Sequence, residues 1–207
     1  MNKQNYVIGY SGHAYVVVDV LLSNGISLSG YCEKEEKKIN PYRLEYLGDE
    51  SNLEVMEKLA CGNIYLGIGQ YSIREKLYKK FSLANISMPY AVHVSSIVSK
   101  YSHISDATLI MPGVIVNSQA FIGCGVICNS ASIIEHECTI GDFCHIAPGA
   151  VLAGGVTIDS NTFIGANAVI REGIKIGKNV IVGAGSVIVK DISDNNKVVG
   201  NPQKIIT

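Results

Sequence analysis

An aliphatic residue returns at every sixth position from Val92 to Ile188 of this 207-residue chain, and few folds can accommodate that period. The series is Val92, Val98, Ile104, Ile110, Val116, Ile122, Cys128, Ile134, Ile140, Ile146, Leu152, Ile158, Ile164, Ile170, Ile176, Val182 and Ile188. Cys128 is the one member that is not Val, Ile or Leu, and it too is small and apolar. A helix repeats near 3.6 residues and a strand near 2, so neither alone gives a strict six. A parallel β-helix of hexapeptides does. Three six-residue sides close a coil of about eighteen residues, so each aliphatic side chain stacks on the one eighteen positions later. Two positions before the repeat the residue is small, as at Ser96, Ser102, Thr108, Ala120, Ser132, Cys138, Cys144, Ala150, Thr162, Ala168 and Ser186, which suits a tight interior corner. The outward positions are expected to carry mainly Asn, Ser, Lys, Asp or Gly.

The first part of the chain has another rhythm. Residues 6–14 read as a short strand, a glycine turn and a helix start, and that helix stops at Asn24-Gly25. A strand from Ser27 to Cys32 follows, then the charged run Glu33 to Lys38, a helical stretch around Asn52–Leu59, a strand Ile64–Ile68 and a helix Ser72–Phe81. Strands alternating with helices indicate a small parallel α/β unit, Rossmann-like in plan. Near Met88-Pro89 the period becomes six. The expected division is therefore 1–88 for the α/β domain and 89–207 for the all-β repeat domain and its C-terminal tail.

A net charge of −1 and a pI near 6.5 give no electrostatic footprint for nucleic acid. No apolar run approaches the ~20 residues of a membrane-spanning helix, and the first residues do not read as a signal peptide. The six cysteines form no C-x-x-C pair, and Cys128, Cys138 and Cys144 fall on interior phases. Reduced core cysteines in a cytoplasmic protein are expected.

Two places carry chemistry. Gly9-Tyr10-Ser11-Gly12-His13 sits between a strand and a helix, where free N–H groups and the helix dipole can meet a phosphate. The pattern is only half of a dinucleotide fingerprint, so a tight structural turn explains it equally well. Gly67-Ile68-Gly69 closes another strand, and ligands sit at strand carboxyl ends in such sheets.

The second place is the segment Ser130 to Ile140, with His145 shortly after. Counted from Ile134, His136 and Glu137 are the third and fourth residues of their side and belong at a prism corner. A neutral imidazole can take a proton near pH 7, and a neighbouring carboxylate can orient it. A surface histidine with an incidental acid neighbour fits the same spacing. His136 and His145 are nine residues apart, half a coil, so they are expected on opposite flanks of one prism. They can act together only across an interface between subunits. Gly154 stacks one coil above His136, about 5 Å away, and Gly154-Gly155 is expected to leave open space beside the ring. A zinc site is not expected, because His93 and His103 lie several coils from the other two. A cysteine nucleophile is disfavoured by the interior phases of Cys138 and Cys144.

Taken with the repeats, Gly9–His13, Ile134–His145 and Val199-Gly200-Asn201-Pro202 resemble the sugar-nucleotide acetyltransferases of the left-handed β-helix class. The likeness is greatest to the PglD-type N-acetyltransferases of the bacillosamine pathway, with sialic acid O-acetyltransferases as near relatives. The resemblance implies a left-handed β-helix, acetyl-CoA as co-substrate, no metal, and a homotrimer with active sites between subunits. It implies that His136 is the general base, supported by Glu137, and that Asn129 and Glu135 are further polar positions of the acceptor site. It assigns His145, Gly154 and Ala166 to the acetyl-CoA cleft, and Ser11, Gly12, His13 and Gly69 to the nucleotide-sugar pocket. The family carries acidic residues after the second strand; Glu33-Lys34 stands there in this chain. The expected reaction is N-acetylation of a nucleotide-linked amino sugar, such as a UDP-4-amino-4,6-dideoxyhexose. The alternatives are O-acetylation of sialic acid or a related nonulosonate, and a non-catalytic trimeric scaffold assisting a sugar synthase.

Overall fold

The computed structural model describes residues 3–206 and separates into two compact units, one ending at Ala91 and the other beginning at Val92. The first holds β1 (Asn5–Ile8), α1 (Gly12–Ser23), β2 (Gly30–Cys32), β3 (Glu45–Gly48), α2 (Leu53–Ala60), β4 (Asn63–Leu66) and α3 (Tyr71–Leu83). The four strands are parallel in the order β3-β2-β1-β4, so the chain reverses its winding direction between β1 and β4. Tyr6, Val7, Ile8, Ile64 and Leu66 are almost fully buried, as expected for central strands covered on both faces. Asn24 ends α1 by turning its side-chain amide onto the carbonyl of Val20, and Gly25 follows with φ of +69°.

The second strand begins at Gly30 rather than Ser27, because the Ser27 carbonyl accepts the Asn5 side-chain amide instead of joining a ladder. The segment Glu45–Gly48 forms a further strand, beyond those the sequence pattern predicts. It is a short edge strand with a register shift opposite Tyr31 and Cys32, so it carries little of the alternation that marks a strand.

The second unit is a left-handed parallel β-helix. Seventeen two-residue strands, β5 (Ala91–Val92) to β21 (Val187–Ile188), recur every six positions, and the second residue of each is the repeat residue. Partners lie eighteen residues apart, as in Ile133↔Val151 and Ile140↔Ile158. Repeat residues from Ile110 to Ile188 are nearly all excluded from solvent. Each such Ile or Leu contributes roughly 1.5–3 kcal/mol of burial. The small corner residues also bridge coils. Thr108 donates to the Gly123 carbonyl at 2.7 Å, Cys138 to Ala153 at 3.2 Å, Cys144 to Asp159 at 3.1 Å and Thr162 to Gly177 at 2.8 Å. After Ile188 the period breaks, and an antiparallel pair, β22 (Lys197–Val199) and β23 (Lys204–Ile206), closes one side.

The outward strand positions are more apolar than expected. One side presents Ile97, Ile115, Ile133, Val151, Val169 and Val187 in a continuous ladder, with Ile97 67% and Val169 41% exposed. A second side carries His103, Phe121, Thr139, Thr157 and Lys175. The third carries Leu109, Ile127, His145, Phe163 and Ile181. The polar residues are concentrated at the corners, where the chain turns, rather than on the flat sides. The six cysteines are all free; Cys61 is exposed and Cys124 half-buried, so they are not all core residues.

Candidate active site

His136 and Glu137 occupy the corner between the aliphatic side and the threonine side. Glu137 adopts φ of +60°, and its N–H donates to the Ser118 carbonyl at 3.1 Å. That left-handed turn directs its carboxylate back to the ring of its neighbour. His136 Nδ1 lies 3.1 Å from Glu137 Oε2, with both side chains more than 60% exposed. With Nδ1–H donating to the carboxylate, Nε2 is left with its lone pair and can accept a proton.

Gly154 lies against the imidazole, as the coil count requires, but the space above it is not open. A Cβ placed on Gly154 would stand 2.5 Å from His136 Cε1 and 2.6 Å from Nε2, so the ring itself fills that volume. The glycine supplies a flat bed for the imidazole. The backbone holds the same register, with Gly155 N–H donating to the His136 carbonyl at 2.9 Å. Glu135, one residue upstream, accepts from Asn117 Nδ2 at 2.8 Å; Asn117 was not singled out in the sequence.

Other residues of the expected site lie elsewhere on the prism. Asn129 and His145 meet on the third side, with Asn129 Nδ2 3.1 Å from His145 Nε2. Phe163 packs edge-on against His145 at 5.2 Å. Ala166 is in the corner turn that follows Phe163. Within one chain there are thus two groups, His136-Glu137-Gly154 and Asn129-His145, on different flanks. Burial pushes the Cys138 thiol up to about 11 and raises that of Cys128 as well, which leaves neither suited to act as a nucleophile.

In the first unit a cleft of about 510 Å³ opens at the strand carboxyl ends, lined by Gly9, Ser11, Glu33, Lys34, Gly69 and Lys76 among others. Gly12 borders a second cleft of about 360 Å³ on the other flank of the turn, with Tyr10, Lys37 and Lys38. Glu33 is held by Tyr10 N–H at 3.2 Å, Lys34 N–H at 3.1 Å and Lys37 Nζ at 3.4 Å. Partial burial pushes its carboxyl up, but the two backbone N–H groups and the Lys37 ammonium outweigh this and hold it below the usual range.

The glycines divide informatively. A Cβ on Gly67 would stand 2.6 Å from Ala14 Cβ, and one on Gly9 2.8 Å from Ile68, so the fold needs both. A Cβ on Gly12 would meet nothing within 4 Å, and one on Gly69 only the His13 ring at 3.9 Å. Packing within the chain does not demand a glycine at either position.

His13 stands behind Gly69. Burial first, and the Arg74 charge second, lower its pKa from 6.5 to about 4. The unfolded chain therefore takes this proton before the folded one does. Its contribution is complete above about pH 6.5 and is lost as pH falls toward 4. Denaturation of wild type should lose about 2–3 kcal/mol more than His13→Gln between about pH 7 and 4.5. Equal losses in the two proteins would contradict the assignment of a half-buried, neutral His13.

Comparison with known proteins follows the division into units. Residues 6–81 match the family described as PglD N-terminal domain, and residues 155–190 match Bacterial transferase hexapeptide (six repeats). GDP-perosamine N-acetyltransferase of Escherichia coli O157:H7 is 31% identical over 103 residues, a stretch covering 50% of this chain and 47% of that protein. This match thus takes in about half the length of the curated relative. A histidine variant of perosamine N-acetyltransferase from Caulobacter crescentus, in complex with CoA and GDP-perosamine, superposes with a TM-score of 0.94 at 30% identity, over 99% of this chain and 97% of that one. The acetyltransferase domain of PglB from Neisseria gonorrhoeae FA1090, in complex with acetyl coenzyme A, gives a TM-score of 0.91 at 28% identity over the full length of both. Among the described residues, no helix is long and apolar enough to cross a membrane, and no group of three or more His, Cys, Asp or Glu is arranged to hold a metal.

Proposed function

Because this chain belongs to the PglD-type sugar acetyltransferases of the hexapeptide-repeat class, we propose that it transfers the acetyl group of acetyl-CoA to the amine of a nucleotide-linked amino sugar. The observation that carries the reading is the Glu137–His136–Gly154 arrangement, an oriented imidazole with Nε2 unengaged on a corner kept flat for it. The neutral amine attacks the thioester carbonyl while His136 Nε2 takes the proton the nitrogen must lose. The tetrahedral adduct collapses, the carbon–sulfur bond breaks, and the thiolate leaves with a proton as free CoA. Glu137 fixes the tautomer and stabilises the imidazolium that forms. No covalent enzyme intermediate is needed.

The nucleotide is assigned to the first unit, where Ser11 and Gly12 present helix N–H groups, Gly69 clears the approach, and Glu33, Lys34 and His13 complete the surroundings. Relatives that bind GDP-perosamine support a nucleotide-linked acceptor. His145, Gly154 and Ala166 serve the acetyl-CoA cleft, and Asn129 and Glu135 the acceptor. The reaction belongs in the cytoplasm, which suits six free cysteines. A thiol-release assay with acetyl-CoA against GDP-, UDP- and dTDP-linked amino sugars tests the reading. CoA release dependent on one of these is expected. Release with sialic acid and none of the amino sugars would overturn it in favour of O-acetylation.

The working unit is a homotrimer. Its support is the aliphatic ladder from Ile97 to Val187, an apolar side that a single chain leaves partly exposed, and the separation of His136 from His145 on different flanks. A three-fold ring joins one flank of each prism to another flank of its neighbour. His136→Ala and His145→Ala chains should each be impaired alone. Trimers mixed from both should regain about a quarter of wild-type activity, because three quarters of random trimers are mixed and one of their three interfaces has both histidines. No recovery in trimers whose mixing is confirmed by mass would place both residues in one subunit's cleft.

A further inference from the structure

Resting on the reading that the cleft at the strand tips holds a nucleoside diphosphate, we propose that Arg74 is the positioning residue of that cleft. Its guanidinium draws the carbonyl oxygens of Ile68 and Gly69 inward and sets a fixed positive charge behind the phosphates.

Arg74 lies on α3 with 0% exposure and is the largest fully buried side chain of the protein. A guanidinium is costly to bury, and hydrogen bonds must offset its lost hydration. Nη1 donates to the Ile68 carbonyl at 3.2 Å and to the Gly69 carbonyl at 2.7 Å. Those two residues, with Gly67, form the wall of the cleft above β4. The consequence is electrostatic. A carbonyl oxygen turned toward a phosphate repels it, and an N–H turned toward it attracts it. Binding both carbonyls from behind removes two acceptors from the cleft side of the turn.

The charge is felt locally. Arg74 acts after burial as the second cause that keeps His13 neutral, so the guanidinium lies within electrostatic reach of the helix start that carries Ser11 and Gly12. Gly69 is not required by packing, since a Cβ there would touch only the His13 ring at 3.9 Å. The turn held by Arg74 thus presents a smooth surface whose glycine is explained by close approach of a ligand. Nothing in the sequence distinguishes Arg74 from Lys76, Lys79 or Lys80 on the same helix. Its burial does.

The test uses the full-length protein and calorimetry with GDP, UDP and dTDP, followed by steady-state kinetics on the accepted nucleotide sugar. Arg74→Met removes charge and donors, Arg74→Gln keeps a donor, and Arg74→Lys keeps the charge. Arg74→Met should weaken the preferred nucleoside diphosphate at least about tenfold and raise KM for the nucleotide sugar equally. The KM for acetyl-CoA and kcat at saturation should stay within about twofold, since Arg74 touches neither the coenzyme nor the reacting atoms. Lys and Gln should each recover part of the loss. Unchanged nucleotide binding in these variants would overturn the proposal. So would equal damage to both substrates with a lowered Tm and no gain from Lys, which marks a purely structural arginine. If Arg74→Met does not fold, the Lys and Gln variants decide, and wild-type affinity in both overturns it. Absence of nucleoside diphosphate binding by the wild type would remove the nucleotide reading itself.

Discussion

Replacing His136 by Ala is expected to leave a folded protein whose acetyl-transfer rate has fallen at least about 100-fold, the range for losing a general base. The fold should tolerate the change because the side chain is 62% exposed at a corner and takes no part in the stacked core. The loss should fall on kcat, since the amine still binds but has no partner for its proton. A rise in pH should recover part of the rate, as hydroxide can do what the imidazole no longer does. Glu137→Gln should cost less, because Nδ1 keeps a hydrogen-bond partner and loses only the charge that stabilises the imidazolium. A His136→Ala protein that retained more than half of wild-type turnover at saturating substrates would sink the assignment.

Gly154→Ala should have the second largest effect, on the order of 100-fold in kcat, through misplacement of the same ring. One methyl group would stand 2.5 Å from His136 Cε1, well inside contact distance, and the imidazole must swing away to admit it. The hydrogen bond to Glu137 and the direction of Nε2 are set by the ring position, so both are lost together. The backbone at Gly154 is not left-handed, so alanine adds no strain of its own, and thermal stability should change little. Wild-type kcat in this variant would show that the resting place of the ring is not its working place. Gly155 differs from its neighbour, with φ of +68° and open space around it. Gly155→Ala should lower stability, by about 1 kcal/mol, more than it lowers the rate.

The β-helix was legible in the sequence because its core repeats. Within each six the repeat residue and the residue two before it point inward, and seventeen repetitions leave no other period to fit. The corner placement of His136 and Glu137 and the stacking of Gly154 followed from the same counting, whereas the roles expected of them came from the family resemblance. The filling of the space beside Gly154 did not, because counting gives the register of a side chain and not its rotamer. The aliphatic ladder from Ile97 to Val187 was overlooked for a related reason: it shares each strand with the core residue, and two adjacent apolar residues read as one hydrophobic step. In the α/β unit, β3 was missed because an edge strand of four residues with a register shift has little periodicity. Arg74 was missed because a charged residue on an amphipathic helix ordinarily faces water. Gly12 and Gly69 differ from Gly9 and Gly67 only in their surroundings in three dimensions, since the chain needs the latter two for its own packing.

The most direct measurement of the account is the structure of the product formed by the wild-type protein from acetyl-CoA and a GDP-, UDP- or dTDP-linked 4-amino sugar. Mass spectrometry should find one acetyl group added per nucleotide sugar, and NMR should place it on nitrogen as an amide. His136→Ala should form the same product far more slowly, because the base accelerates the transfer without choosing the atom. An ester on a sugar hydroxyl, or an acetylated enzyme isolated before the acceptor is added, would contradict direct transfer to an amine by an oriented histidine.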